Sequence, residues 1–312
     1  METDLVEDVS KLLPAYAISM LIGKLLGDGN LTIEKNKRPR LRFSHKLQDK
    51  QWCAHSRDLL AAHISFPTIK YRKVKDARIT NGFTESYYAQ SHTHPALELL
   101  KQLWYPSGVK IIPFHLLQTH FTRTSLAWWF MDDGHLKIVN GQPSKIILST
   151  ESFTPLELKR LCSILNEKFL LEFKIDKAKR LVIYNKMQIH YFLKLVQPYL
   201  VSCMYRKTLL KSSLSNVMTP KRTTIYLPIK LTSPTKEIQE ALLSLRLKIE
   251  LLSDETKYIG LYCRVLKNLD MKKQINYSYQ VILQPHQIVE ISKCQAVTGM
   301  RVSEIVHWCF LK

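Results

Sequence analysis

Leu21-Ile-Gly-Lys-Leu-Leu-Gly-Asp28-Gly29 is answered further along the chain by Leu126-Ala-Trp-Trp-Phe-Met-Asp-Asp133-Gly134. Each is an apolar helical run that stops on a carboxylate and a glycine. An ionised carboxylate closing an apolar helix is costly to bury unless a cation compensates it. Its occurrence twice points to two equivalent carboxylates brought together, most simply around metal ions. The chain carries 46 Lys and Arg against 26 Asp and Glu, a formal charge of +20. A basic excess of that size suits a nucleic-acid partner, whose phosphates release counterions as cations neutralise them.

A length of 312 residues suits two domains, or a duplicated domain with an appendage, and 46% hydrophobic residues exclude a wholly disordered chain. Cys53, Cys162, Cys203, Cys263, Cys294 and Cys309 are scattered without a CxxC pair, which argues against a zinc site or disulfide framework and fits a reducing compartment. The histidine pairs His92/His94 and His115/His120 lack the helical spacing of a dedicated metal pair. No apolar run reaches membrane-spanning length, and the acidic start Met1-Glu-Thr-Asp resembles neither a signal nor a transit peptide. The expectation is a soluble, intracellular protein with no membrane partner, in a bacterial cytoplasm or nucleoid, a phage-infected cell or an organelle matrix.

Outward from the first motif, Pro14 suits the first turn of a helix over 13–26 that Gly27 and Gly29 end. Strands follow at 30–34 and 38–45. The second alternates Arg40, Arg42 and Ser44 with Leu41 and Phe43, so cations line one face and apolar residues the other. A helix over 47–63, strands within 66–92 and a helix over 94–103 complete the first half. After the second motif, whose helix Ser125 is placed to cap, strands at 136–139 and 145–150, a helix opened by Ser152-Phe-Thr-Pro, strands at 173–176 and 180–184 and a helix over 187–196 repeat that order. The αββαββα repeat, in order rather than identity, predicts a duplicated α+β domain. Its halves are residues 1–104 and 105–215, with a polar linker at 216–224 and a separate C-terminal domain at 225–312.

The two motifs resemble those of the LAGLIDADG homing endonucleases, in the monomeric double-motif form. Lys110-Ile-Ile-Pro113, Leu148-Ser-Thr-Glu-Ser-Phe153 and Pro198-Tyr-Leu200 followed by Lys207 support the resemblance, which spans roughly residues 12–215. It implies two motif helices packed at a pseudo-twofold axis beneath saddle-shaped antiparallel sheets. Asp28 and Asp133 would be the catalytic carboxylates and, with the backbone near Gly27 and Asp132, the ligands of Mg²⁺, which hard oxygen donors select. Asp132 itself would sit on the packing side. Lys110 and Lys207 match lysines beside each active site, and Ser44 and Glu151 are the picks for polar positions behind the carboxylates. Gly23 fits close helix packing, whereas Trp128 at the matching position does not, which favours an asymmetric site. Trp104, Trp128 and Trp129 are expected in the core.

The basic strands would then enter the DNA major groove. Candidates are Arg40, Arg42, Arg72, Lys73, Lys75 and Arg78 in the first half, with Lys137, Lys145, Lys174 and Arg180 in the second. The C-terminal part alternates Ile225, Leu227, Ile229 and Leu231 as a strand before a long helix at 234–252 and another capped by Ser253-Asp-Glu. A second strand, with Tyr277, Tyr279, Val281 and Leu283 on one face, precedes two helices broken at Thr298-Gly299. This resembles tandem ribbon-helix-helix units pairing within one chain, with Ser278 and Gln280 outward and Ser303 capping a helix that holds a phosphate. The resemblance implies a monomeric, Mg²⁺-dependent, site-specific double-strand DNA endonuclease that cuts a long asymmetric target to short 3′ overhangs. The alternatives are an intron-RNA maturase of the same fold and a catalytically inactive DNA-binding regulator; the presence of both acids argues against the last.

Overall fold

The computed structural model describes residues 2–32, 37–78, 80–208, 219–269 and 277–311. Contacts divide the chain into two compact units, one of residues 1–139, 146–183 and 196–209 and the other of residues 140–145, 184–195 and 210–312.

The duplicated order is present. After α1 (Glu2–Leu12) come α2 (Ala15–Leu26), β1 (Asn30–Thr32), β2 (Arg40–Lys46), α3 (Lys50–Ala61), β3 (Lys70–Lys75), β4 (Phe83–Gln90) and α4 (Pro95–Trp104). A short helix, α5 (Phe114–His120), leads into α6 (Arg123–Asp133), β5 (Gly134–Val139), β6 (Gln142–Leu148), α7 (Pro155–Phe169), β7 (Lys174–Ile175), β8 (Leu181–Ile183) and α8 (Lys186–Val196). The sheets repeat as well, with strand orders β1-β2-β4-β3 and β5-β6-β8-β7. The β3–β4 and β7–β8 turns even carry a similar device: Asp76 holds Arg78, and Asp176 holds Arg180, through paired guanidinium bonds. Residues 33–34 of the expected first strand lie outside the described residues.

Helices α2 and α6 form the centre of the first unit. Every residue of α2 from Ala17 to Leu26 is buried, as is α6 from Ser125 to Met131. Such all-round burial explains why neither helix shows an amphipathic stripe in sequence. Thr122, not Ser125, caps α6: its side chain accepts the Thr124 N–H, and Ser125 returns the bond to the Thr122 N–H. Ser125 is fully buried, and its Oγ lies 2.8 Å from Ser19 Oγ on α2. Trp104, Trp128 and Trp129 are core residues, 0–2% exposed.

Strand register decides which cations share a face. In β2 and β4, Arg42 lies opposite Gln90, Ser44 opposite Tyr88 and His45 opposite Tyr87. In β3, Lys70 and Arg72 pair with Tyr88 and Ser86, whereas Tyr71, Lys73 and Lys75 pair with Tyr87, Glu85 and Phe83. Directly opposed residues share a face and neighbours along a strand do not. Arg40, Arg42, Ser44, Lys70 and Arg72 therefore lie on one face, while Leu41, Phe43 and His45 lie buried on the other.

In the second unit, β9 (Lys221–Leu227) is followed by α9 (Pro234–Leu242), α10 (Leu245–Ser253) and α11 (Glu255–Arg264), and β10 (Tyr277–Leu283) by α12 (Pro285–Thr298) and α13 (Val302–Phe310). β9 and β10 form a two-stranded antiparallel ribbon, from Tyr277 opposite Leu227 to Leu283 opposite Lys221. β9 thus begins inside the expected linker and ends before Ile229, and residues 216–218 of that linker lie outside the described residues. The expected helix at 234–252 is two helices broken at Leu243-Ser244. Helix α8 belongs to this unit rather than standing with its own half: Tyr191 stacks on Tyr262 with ring centroids 3.7 Å apart, and Gln188 Nε2 donates to Tyr262 at 2.7 Å. No single helix among the described residues is long and apolar enough to cross a membrane.

Candidate functional site

The site forms where α2 and α6 end side by side. They approach so closely at two points that a side chain is excluded. A Cβ on Gly23 would lie 2.6 Å from both Ser125 O and Trp128 Cβ, and one on Gly27 would lie 2.6 Å from Asp132 Cβ. The tryptophan opposite Gly23 is therefore accommodated by the glycine, and the packing is asymmetric. Asp28 stands just past the end of α2 and Asp133 is the last residue of α6, near enough that the Asp28 charge raises the Asp133 pKa.

Their environments differ. Asp133 is pushed up to about 7, by burial first and then by the charges of Asp28 and Asp132, which Lys207 and Lys110 offset only in part. Burial also pushes Asp28 up, but the His45 hydrogen bond and the charges of His45, Lys24 and Lys207 outweigh it and hold the carboxyl below its ordinary value. The His45 Nδ1 lies 3.1 Å from Asp28 Oδ2.

Lys110 and Lys207 both arrive. Lys110 Nζ donates to Gly29 O at 3.1 Å, just after the first motif acid. Lys207 Nζ donates to the carbonyls of Phe130, Met131 and Asp132 at 3.1, 2.6 and 3.1 Å, taking up free acceptors at the end of α6. Burial lowers Lys110 to about 8 despite the nearby acids; burial and the Arg206 charge do the same to Lys207. Each motif end thus has one partly desolvated ammonium.

Asp132 occupies the position that is Gly27 in the first motif and turns its carboxylate inward. Oδ1 accepts from Lys24 Nζ and from Trp52 Nε1, both at 2.7 Å, and Oδ2 accepts the Asp28 backbone N–H at 3.2 Å. The Lys24 and Asp132 side chains are wholly buried. Lys24 also stands 4.3 Å from the Trp52 ring centre and 4.6 Å from that of Phe43, faces that favour a cation. Sequence reasoning passed over Lys24, His45 and Trp52.

Several expected residues fall elsewhere. Ser44 is exposed on the opposite face of β2 from the carboxylates; His45 is the residue that reaches them. Glu151 is exposed in the turn after β6, where the nearer contact is the Ser149 N–H donating to Asp133 O at 3.2 Å. Lys73 and Lys75 point away from the Arg42 face, Lys73 lying 3.5 Å from the Phe83 ring centre. Arg78 and Arg180 spend their guanidinium groups on Asp76 and Asp176. Arg40, Arg42 and Arg72 share a face, with Arg42 against the Tyr88 ring. In the second sheet Lys137 is exposed on β5, while Lys174 opposes Val182, which opposes Ile147, and so shares a face with Lys145.

In the ribbon, Ser278 and Gln280 are exposed, opposite Tyr226 and Thr224. Ser303 does not cap α13; Arg301 and Glu304 form that cap, and Ser303 Oγ accepts the Tyr226 N–H at 3.0 Å. A phosphate at this hydroxyl would have to displace a strand bond.

Asp28, His45 and Asp132 offer ligand atoms within 4.8 Å of one another, an acidic cluster of the size that holds a divalent cation. The Lys24 ammonium, 2.7 Å from Asp132 Oδ1 and 3.0 Å from His45 Nε2, already fills the inner part of that cluster with positive charge. Asp133 lies outside that cluster, and Lys207 and Lys110 compensate its charge only in part.

Comparison with known proteins gives a consistent result. The profile of the LAGLIDADG DNA endonuclease family matches residues 18–193. A probable intron-encoded endonuclease of Wickerhamomyces canadensis is 29% identical over 194 residues, covering 61% of this chain and 82% of that protein. A cytochrome b mRNA maturase of Debaryomyces hansenii is 25% identical over 208 residues, covering 64% of this chain and 75% of that protein. The solved structure of the homing endonuclease I-WcaI bound to its DNA recognition sequence superposes with a TM-score of 0.56 at 29% identity, covering 67% of this chain and 93% of that one.

Proposed function

The chain belongs to the LAGLIDADG DNA endonuclease family, and from that premise we propose that it is a monomeric, site-specific double-strand DNA homing endonuclease. It hydrolyses one phosphodiester in each strand of a long asymmetric target and leaves short 3′ overhangs. The observation that carries the reading is the paired carboxylates Asp28 and Asp133 at the ends of two packed helices, each with its own lysine.

An Asp133 pushed up to about 7 by burial, and then by the charges of Asp28 and Asp132, fits a divalent cation, which would restore the charged form. Hard carboxylate oxygens, with the carbonyls near Gly27 and Asp132, suit Mg²⁺. Bound there, such ions would activate water and stabilise charge on the attacking and leaving oxygens. Asp28 and Asp133 would hold the ions and orient the attacking water. Lys110 and Lys207 orient the scissile phosphates as point charges. The face bearing Arg40, Arg42 and Arg72, with Lys137, Lys145 and Lys174 in the second half, carries the DNA backbone and base edges.

In the C-terminal unit we read the β9–β10 ribbon as a second DNA-reading surface of ribbon-helix-helix kind. Ser278 and Gln280, with Arg222, Thr224 and Tyr226 opposite, face outward from it. The maturase similarity supports a second reading, intron-RNA binding by the same basic faces.

Incubation with Mg²⁺ and DNA spanning an intronless insertion site tests the reading. Wild type is expected to linearise the substrate, while Asp28→Asn and Asp133→Asn each bind it and leave it intact. Cleavage surviving either substitution refutes the assignment, and intron-RNA binding without DNA cleavage favours the maturase.

A further inference from the structure

We infer that Lys24, His45 and Asp132 are positioning residues that preset Asp28, so that one half of the cleavage centre is built in advance and the other is not; this deepens the endonuclease reading and rests on it.

The four residues close a ring. Asp132 Oδ2 accepts the Asp28 N–H at 3.2 Å, and Asp132 Oδ1 accepts from Lys24 Nζ at 2.7 Å. Lys24 Nζ lies 3.0 Å from His45 Nε2, and His45 Nδ1 lies 3.1 Å from Asp28 Oδ2. An ammonium has only hydrogens to give, so His45 Nε2 is the acceptor in that contact. The imidazole proton then sits on Nδ1, directed at Asp28, and the tautomer is dictated by Lys24. Asp28 is therefore fixed twice, its backbone by Asp132 and its carboxylate by His45. One carboxylate oxygen is committed to the protein, and the other is left for a cation.

The ring is buried, which gives it stiffness. The side chains of Lys24 and Asp132 are 0% exposed and that of His45 is 3% exposed, against 34% for Asp28. In so little water these bonds are stronger than on a surface. Trp52 supplies a further donor to Asp132.

Among the described residues the second half has no such ring, for reasons visible in the motifs. Aligned on their acids, Trp129 stands where Lys24 stands and Asp132 where Gly27 stands. Trp129 cannot donate a charge, and its buried Nε1 makes no hydrogen bond. Asp133 accordingly has neighbouring cations but no fixed imidazole donor.

A merely structural ring and a positioning ring differ in what a graded set of His45 variants does. The target would be a DNA site recovered by wild-type cleavage from a randomised plasmid library. Single-turnover rates are measured with Mg²⁺ at saturating enzyme, and affinity for the same DNA without added metal. His45→Ala is expected to slow cleavage by roughly 10- to 100-fold, the scale of one hydrogen bond to a charged group, with affinity within about twofold. His45→Asn, whose amide N–H can stand in for Nδ1–H, is expected to recover most of the rate. His45→Gln places its amide nearer the Nε2 position and is expected not to.

Wild-type rates in His45→Ala, or a rate loss that tracks affinity with Asn no better than Gln, would overturn the role. If the alanine variant does not fold, the Asn and Gln pair decides alone. A wild type that cleaves nothing in the library refutes the endonuclease reading and this role together, whereas a cleaving wild type with indifferent variants refutes only the role.

Discussion

Asp133 is held in a form it would not take in water, and this has a measurable consequence in the metal-free protein. Its folded pKa of about 7 lies above the ordinary 3.8. Between those values the native state keeps a proton that the unfolded chain has released, so stability falls as pH rises from about 4 to about 7. Asp28, held below its ordinary value, acts in the opposite sense and withdraws stability only as pH falls through the acid range. Thermal melts without metal are expected to show the decline towards neutrality, Asp133→Asn to flatten it, and Mg²⁺ to raise the melting point most at pH 7 and above. An unchanged slope in Asp133→Asn would mean that another group titrates. At this scale the acids were legible in the spacing of the two motifs, and both lysines only through the family resemblance of the segments that carry them. Lys24 and His45 were not, although each left a trace. A single cation inside Leu21–Leu26 demands a buried anion, and the alternation that turns Leu41 and Phe43 inward turns His45 inward too. Choosing Ser44 meant stopping that alternation one residue early.

Among the elements, the crossing of α2 and α6 is the most exacting contact. Gly23→Ala would set a methyl 2.6 Å from the Ser125 carbonyl oxygen and the Trp128 Cβ, neither of which can yield without moving a helix. Overpacking of this kind costs about 1–3 kcal/mol, and urea unfolding should read that loss with little change in slope. Across the same interface, Lys24→Met leaves the Asp132 carboxylate buried without its counterion. Removing one partner of such a pair costs about 3–5 kcal/mol. Lys24→Met with Asp132→Asn is expected to recover much of the loss, because no unpaired charge then remains. A double variant no better than Lys24→Met would show that the ion pair is not what Asp132 requires. The repeated element order was legible because each half carries the same punctuation of Gly, Pro and Asp turns. The break between α9 and α10 was not, since buried Leu242 and Leu245 continue the helical spacing across it. Nor was α1, which buries only Val6 and Val9 and leaves Leu12 exposed in a run rich in acidic residues.

Over the whole molecule, a charge of +20 makes salt the natural probe of how much surface meets DNA. The charge predicted a polyanion partner without saying where it binds, and contacts rather than sequence order decide which helices group with the C-terminal part. Helix α8 joins that unit because Tyr191 and Gln188 find their partner in Tyr262, far away in sequence. Deleting residues 221–312 would therefore strip from α8 the ring that stacks on Tyr191 and the hydroxyl that accepts from the buried Gln188 amide, and lost binding would not report on the ribbon. Substitution on the ribbon surface within the full chain is cleaner. Arg222, Thr224 and Tyr226 on β9 and Ser278 and Gln280 on β10 are exposed, with the buried positions Ile225, Leu227, Val281 and Leu283 behind them. Arg222→Ala with Gln280→Ala should leave the fold and the position of the cut unchanged. It should shorten the protected footprint on one side of the target, weaken binding by roughly tenfold or more and lower the salt slope by about one unit for the lost phosphate contact. An unaltered footprint and slope would assign the ribbon to holding α8 and the helices behind it, and would leave target recognition to the arginine-lined sheet faces alone.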